Sequence, residues 1–282
     1  MTEQEMIIEA LGVTASFDVA LEAHRRMEFL STYLHASGLS TYVLGISGGV
    51  DSLAAALLAQ RAVEELRMTG YDARFLAVRL PYGTQADEHD AQRALDTIAA
   101  DEVHRVDIKP AADAMLDAIR LTGVELGAAG REDFLLGNIK ARQRMIAQFA
   151  LAGATRGLVI GTDHAAEALM GFFTKFGDGA ADILPLSGLN KRRVRALAMH
   201  LGASSELVDK IPTADLENLV PLRPDEDAYG LTYDQIDDFL EGREINEAAR
   251  TRILHAHSST AHKRALPVTP IAMTSSTLAH RQ

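Results

Sequence analysis

Short, β-prone runs that alternate with helical stretches constrain this chain more than any other feature. Tyr42-Val43-Leu44-Gly45-Ile46 is the first run, residues 74–80 the second, and Leu158-Val159-Ile160 a third; residues 103–108 are a further strand candidate. Runs this short and this apolar suit strands buried on both faces. Between them lie helical windows. Residues 17–36 carry Phe17, Leu21, Met27, Leu30 and Leu34 near one face, and 53–67 are rich in Ala, Leu and Glu. Residues 85–100 and 137–152 also read as helices, while 111–130 read as helix and then loop. Residues 190–201 make a helix that Gly202 would stop in a left-handed conformation. Thr232-Tyr233-Asp234-Gln235 has capping-box spacing ahead of Ile236, Phe239 and Leu240. Such alternation predicts an α/β fold, a doubly wound parallel sheet with helices on both faces. Ligands bind such sheets outside the carboxyl ends of the strands, so the loops after Ile46, Leu80 and Ile160 are where chemistry is expected. Residues 165–232 are richer in Gly, Asp and Pro and read as substrate loops and helices of the same domain. That domain is taken as 1–266, with 267–282 as a tail.

The bulk properties narrow the function. The net charge of −11 opposes a broad nucleic-acid grip, which needs a basic face. It leaves room for an anionic small substrate held by local Lys and Arg. No apolar run approaches the roughly 18 residues of a membrane span, and the first residues are acidic where a signal peptide is basic. The chain therefore reads as soluble and cytoplasmic. With no cysteine there is no disulfide, thiolate nucleophile or cysteine-ligated zinc. His255, His257 and His262 lack the carboxylate pattern that would make them a metal site.

The main chemical signal is Ser47-Gly48-Gly49-Val50-Asp51-Ser52, between a predicted strand and a predicted helix. Two glycines let backbone N–H groups close on a phosphate, and the helix N-terminus adds positive potential. Asp51 would repel phosphate directly, so the loop makes sense if Asp51 holds a magnesium that the phosphate shares. A tight turn with a Ser/Asp helix cap is the plainer reading. Five fixed residues would match by chance in a chain this long roughly once in ten thousand, which favours the phosphate loop. It has no Gly-Lys-Ser/Thr ending and no Gly-x-Gly-x-x-Gly pattern.

This loop resembles that of the pyrophosphatase-loop ATP enzymes. Further segments resemble the NAD synthetase family within that superfamily: Ala77-Val78-Arg79-Leu80-Pro81-Tyr82-Gly83, Gly137-Asn138-Ile139-Lys140-Ala141-Arg142, Gly161-Thr162-Asp163-His164-Ala165-Ala166-Glu167, and 171–179. Pro212-Thr213-Ala214-Asp215-Leu216 and His262-Lys263-Arg264 extend the match. The resemblance implies an adenine-nucleotide α-hydrolase-like fold and an ATP-dependent C–N ligase. ATP would adenylate the nicotinate carboxylate of deamido-NAD, and ammonia would displace AMP to give NAD. It implies that Gly45, Ile46, Ser47, Gly48, Gly49, Val50, Asp51 and Ser52 bind ATP with Arg79, Thr162, Lys191 and Thr213. Asp51 and Glu167 would hold Mg2+, and Arg142, Lys175, Asp182, His262 and Lys263 the deamido-NAD. It also implies a homodimer, for which the helices at 137–152 and from Asn190 are interface candidates.

Each role has a plainer rival. Glu167 alone reads as a solvated acid at a helix start. Lys140, Arg142 and Arg144 read as a solvated face, although Arg suits phosphate because its fork binds two oxygens. Lys191 opposes the dipole at a helix start, and that misfit asks for an anionic partner. Asp178 between two glycines can define a turn; alternatively it captures and deprotonates ammonium as a catalytic group. The absence of cysteine points to free ammonia, unless a separate subunit supplies it from glutamine. Three rival functions stay open: a GMP-synthetase-like or tRNA-thiolating ligase, a non-catalytic nucleotide sensor, and an electron-transfer flavoprotein.

Overall fold

The alternation of hydrophobic residues along the strands decides the layers. Tyr42 and Leu44 face one side of the sheet with Phe75 and Ala77, while Val43, Leu76, Val78 and Val159 face the other. In this computed structural model, which describes residues 1–83, 88–213, 216–219 and 223–270, four strands pair in parallel. They are β1 (Thr41–Gly45), β2 (Arg74–Arg79), β3 (Glu102–Arg105) and β4 (Gly157–Val159), in the order β3-β2-β1-β4. Thr41 is opposite Arg74 on one side and Gly157 on the other. The chain thus winds outward from β1 in both directions, and the switch point where a parallel sheet opens a ligand crevice falls at the carboxyl end of β1. A parallel bridge from Ile160 to Ile183 extends the sheet past β4.

Helices cover both faces. In chain order they are α1 (Glu3–Ala10), α2 (Val19–Ser37), α3 (Val50–Met68), α4 (Glu88–Ile98), α5 (Lys109–Arg120), α6 (Ala129–Ala154), α7 (Ala165–Met170), α8 (Lys191–His200), α9 (Ser205–Val208), α10 (Asp225–Tyr229), α11 (Tyr233–Leu240) and α12 (Glu247–Ser259). The Tyr42 face packs on α2, α3, α4 and α8; the Val43 face packs on α6. α3 is central. Ala54, Ala55, Ala56, Ala59 and Ala62 are all fully buried, and these small side chains let it sit between the sheet, α2 and α8. A third cluster, with Leu169, Ile236, Phe239 and Ile253, joins α7, α11 and α12 beside the β4 edge.

Local chemistry sets the helix ends. Asp18 and Asn190 cap α2 and α8 through 2.9 Å bonds, and Thr232 with Gln235 closes the expected capping box of α11. Gly202 follows α8 with φ +96°. The expected strand at 103–108 ends at Arg105, although Val106 still donates to the Arg79 carbonyl. α6 begins eight residues earlier than the sequence pattern indicates. Its early turns are held by tertiary bonds that local patterning cannot show: the buried Asp133 carboxylate accepts from the Asn218 and Leu219 amides. The apolar face of α8 packs inward, with Val194, Leu197 and Ala198 buried in the core of the chain. Residues 84–87, 214–215 and 271–282, which include Gln85, Ala214, Asp215 and most of the expected tail, lie outside the described residues.

Candidate active site

A cavity of about 440 Å3 opens at the carboxyl ends of β1 and β4. Its floor is the loop from β1 to α3. Gly48 turns this loop at φ +86°, and a Cβ there would lie 3.1 Å from the Ala91 backbone nitrogen. The loop is tied internally: Gly49 N donates to Ser47 Oγ (3.2 Å), Ser47 N to Ser52 Oγ (3.3 Å), and Ser52 Oγ to the Gly49 carbonyl (3.0 Å). Gly49 caps α3 with no side chain, so the first-turn amides keep their donors for a ligand. Two outside groups brace the strand end. Gln148 accepts from the Gly45 amide at 2.7 Å, and the buried Arg79 donates to the Ile46 carbonyl and to Glu88.

In the first turn of α3, Asp51 meets the starts of α7 and α8. Its Oδ2 accepts from Lys191 Nζ at 2.6 Å. Its Oδ1 lies 3.4 Å from His164 Nε2, which is itself 3.7 Å from Glu167 Oε2. Asp51, His164 and Glu167 form the only grouping of three potential metal ligands among the described residues. Burial alone would raise the Asp51 carboxyl, yet the Lys191 ammonium and His164 hold it well below the usual range. Glu167 moves the other way, pushed up by burial and by Asp51. Burial also pushes the His164 imidazole below its ordinary value, against the pull of Asp51. These opposed shifts mark a crowded anionic pocket with room for more positive charge. Asp51 Oδ1 is buried with no hydrogen-bond partner, so a divalent cation fits the residues present.

Lys191 answers the puzzle of a cation at a helix start. Asp51 neutralises its ammonium, the Tyr233 ring lies 4.9 Å below it, and Asp237 accepts from the Lys191 and Arg192 amides at 3.0 and 2.7 Å. Burial lifts the Asp237 carboxyl to about 6.

Thr162, Thr213, Arg79, Asp178 and Lys263 line the same cavity with the phosphate loop, Glu167 and Lys191. Asp178 does define a turn, accepting from Thr174 N at 2.9 Å. It also opens onto the cavity, where loss of water raises its carboxyl. Asp163 close by is pushed to about 7 by burial and by the Asp178 and Asp51 charges. Arg142, Lys175, Asp182 and His262 are not among the described lining residues. Three of them are linked: Arg142 donates to the Lys175 carbonyl, and Lys175 Nζ to the His262 carbonyl at 2.5 Å. Lys263 Nζ donates to the carbonyls of Gly171 and Phe173. Asp182 accepts from the Val159 amide at 2.7 Å and so braces the sheet edge. The run of cations on α6 is not a solvated face: Lys140 is buried against Asn218, Arg144 lines the cavity, and only Arg142 is exposed.

The sequence pattern missed several lining or supporting groups. His164 stands five residues past the end of β4, a position that flags a site in this architecture. Asp225, Tyr233 and Asp237 carry no local signal for the site, because the packing of α11 against α8 brings in Tyr233 and Asp237, and Tyr233 in turn holds Asp225.

The profile of the NAD synthase family matches residues 22–267. The chain belongs to the NAD synthase family. A family member from Paraburkholderia phytofirmans, named NH(3)-dependent NAD(+) synthetase, is 62% identical over 96% of this chain and 94% of that protein. The crystal structure of NAD+ synthetase from Burkholderia pseudomallei superposes with a TM-score of 0.82 at 59% identity, covering 94% of this chain and 96% of that one. NMN synthetase from Francisella tularensis is similar at 35% identity and a TM-score of 0.78, over 90% and 99% of the two chains. Membership of the NAD synthase family favours an amide-forming ligase over the GMP-synthetase-like, sensor and flavoprotein alternatives.

Proposed function

We propose that this member of the NAD synthase family converts deamido-NAD, ATP and ammonia into NAD, AMP and pyrophosphate. The observation that carries the reading is the assembly of Asp51, Lys191 and Glu167 around an uncapped helix N-terminus at the sheet's switch point. The substrate carboxylate is a poor electrophile. It attacks the α-phosphorus of ATP, pyrophosphate leaves, and the acyl adenylate then carries a good leaving group. Ammonia adds to the acyl carbon, AMP leaves, and the added nitrogen loses one proton.

The chain's own residues position the reactants and offset charge. The amides of 47–52 cradle phosphate oxygens, and the Lys191 ammonium, already in the cavity, meets the anion. Arg79 stiffens the loop from behind, while Thr162 and Thr213 contact ATP. Asp51 and Glu167 hold Mg2+, which when bound neutralises phosphate charge. Arg142, Lys175, Asp182, His262 and Lys263 form the deamido-NAD side. The bonds of Arg142, Lys175 and Lys263 described above go to backbone carbonyls, so an anionic substrate would supply their countercharge. Asp178 receives ammonium and accepts its proton. The chain lacks cysteine, which fits free ammonia as the nitrogen source.

No helix among the described residues is long and apolar enough to cross a membrane, and we place the enzyme in the cytoplasm. We also propose a homodimer through α6, where Phe134 and Ile146 are 46% and 52% exposed.

The test mixes the protein with ATP, Mg2+ and deamido-NAD, adding either ammonium or glutamine. NAD from ammonium alone, with AMP and pyrophosphate in equal amounts, is the expected result. A parallel arm replaces deamido-NAD with nicotinate mononucleotide, the analogous acid for the reaction in the name of the Francisella relative. Product from the mononucleotide only would overturn the substrate assignment, and no product in any arm would overturn the function.

A further inference from the structure

The metal reading above uses two carboxylates, and it leaves one buried group beside them unexplained. His164 is 1% exposed, and neither of its ring nitrogens has a hydrogen-bond partner. A buried imidazole in this state is unusual, because buried polar atoms nearly always find a partner. It does not cap α7 either, although it occupies the N-cap position. The neighbouring Asp51 Oδ1 is orphaned in the same way, while Oδ2 of that carboxylate is committed to Lys191.

The geometry points to His164 Nε2 as a third protein ligand of the metal, beside Asp51 Oδ1 and Glu167 Oε2, in a site that takes a borderline divalent cation such as Mn2+. This inference rests on the proposed metal site and adds a ligand to it. The separations support a shared cation more than a direct bond. Nε2 stands 3.4 Å from Asp51 Oδ1 and 3.7 Å from Glu167 Oε2. Ligand atoms about 2.1 Å from one cation are held roughly 3.0–3.4 Å apart, so the two histidine separations need a contraction of a few tenths of an ångström at most, and all three ligand atoms already lie within 4.8 Å of one another. A hydrogen bond from Nε2 to Asp51 would use the imidazole proton and still leave Nδ1 without a partner. Coordination through Nε2 uses the lone pair of the neutral ring, which is the form that metals bind.

A nitrogen ligand changes the choice of ion. Mg2+ prefers oxygen donors in a near-ideal octahedron and keeps its waters, whereas imidazole suits first-row transition cations better. The site would therefore bind Mn2+ more tightly than a pair of carboxylates alone would. Lys191 does not block it, because its bond is to the far carboxylate oxygen.

The experiment is pulsed EPR of Mn2+ on the full chain carrying 15N-labelled histidine, with ATP present and no dinucleotide. The label separates histidine nitrogen from adenine nitrogen. A 15N coupling in the wild type, lost in His164→Asn and in His164→Gln, is the expected result. In the same variants the Mn2+ dissociation constant should rise about tenfold or more, and that for Mg2+ much less. Thermal melting checks that the variants are folded. No histidine coupling in the wild type overturns the inference whether or not the variants fold, and so does a coupling that survives both substitutions. The NAD assay on the same preparation separates the two proposals. NAD formed with no histidine coupling overturns the ligand and leaves the function standing; histidine coupling with no NAD in any arm does the reverse.

Discussion

Asp178 shows how one side chain can hold structure and chemistry together. One of its oxygens fixes the turn at Thr174, and the carboxylate also faces the cavity beside Asp163. If it gathers ammonium, its loss should matter most when ammonium is scarce. For Asp178→Asn we expect kcat/KM for ammonium to fall about a hundredfold, with kcat at saturating ammonium falling less than about tenfold. Initial rates across an ammonium series check this; equal losses in both constants would reduce Asp178 to a turn residue. Lys191 stands at the opposite pole. It is 1% exposed, yet it carries a full charge, because Asp51 and the surrounding acids raise its ammonium pKa against the effect of burial. The Lys191 and His164 neighbours hold the Asp51 carboxyl well below the usual range, while burial and the Asp51 charge push Glu167 above it, so the two acids play different parts.

At the scale of elements, the phosphate loop works because α3 cannot shift. Gly48→Ala would force a side chain into φ +86° and against the Ala91 backbone. A left-handed residue costs about 1–2 kcal/mol, and the contact adds to it. We expect the ATP dissociation constant to rise at least about tenfold, read by calorimetry. Gly70→Ala is the control: φ there is +85°, with open space around the added carbon, so it should cost stability without touching ATP affinity. This part of the fold was legible in the sequence, because strand, glycine turn and alanine-rich helix are local signals. The start of α6 was not, since Asp133 draws its partners from residues 218 and 219. The site divides the same way. Asp51, Glu167 and Lys191 were readable from motif and position, whereas Tyr233 enters by packing its ring under Lys191 and brings in Asp225 through a hydrogen bond (Tyr233 OH to Asp225 Oδ2, 2.9 Å). Asp182 matched the family pattern, but a motif does not tell that its carboxylate is bonded to the sheet edge.

For the whole molecule, acid should loosen the C-terminal helix first. Burial, and secondarily the Arg264 charge, depress His257 from 6.5 to about 4. Between those values the unfolded chain takes up a proton that the folded chain refuses, so the stability present above pH 6.5 is lost as pH falls toward 4. Solvent on its open side limits the effect to about 1 kcal/mol, on the order of 2–4 °C in Tm for a chain this size. His257→Gln should flatten the Tm profile by that amount between pH 7 and 4.5, measured by calorimetric scans; a parallel profile would clear His257 of the acid sensitivity. Sequence distance adds a constraint on the nascent chain. Lys191 lies 140 residues after Asp51. At about 5–20 residues per second, translation separates their appearance by roughly 7–28 s. Throughout that interval the phosphate loop has an acid at its mouth without its ammonium partner, so only a divalent cation could stand between that acid and a nucleotide. A ribosome stalled before Lys191 should carry a chain that holds ATP far more weakly than the full chain, and the cell would gain little of an idle nucleotide trap from an interrupted message.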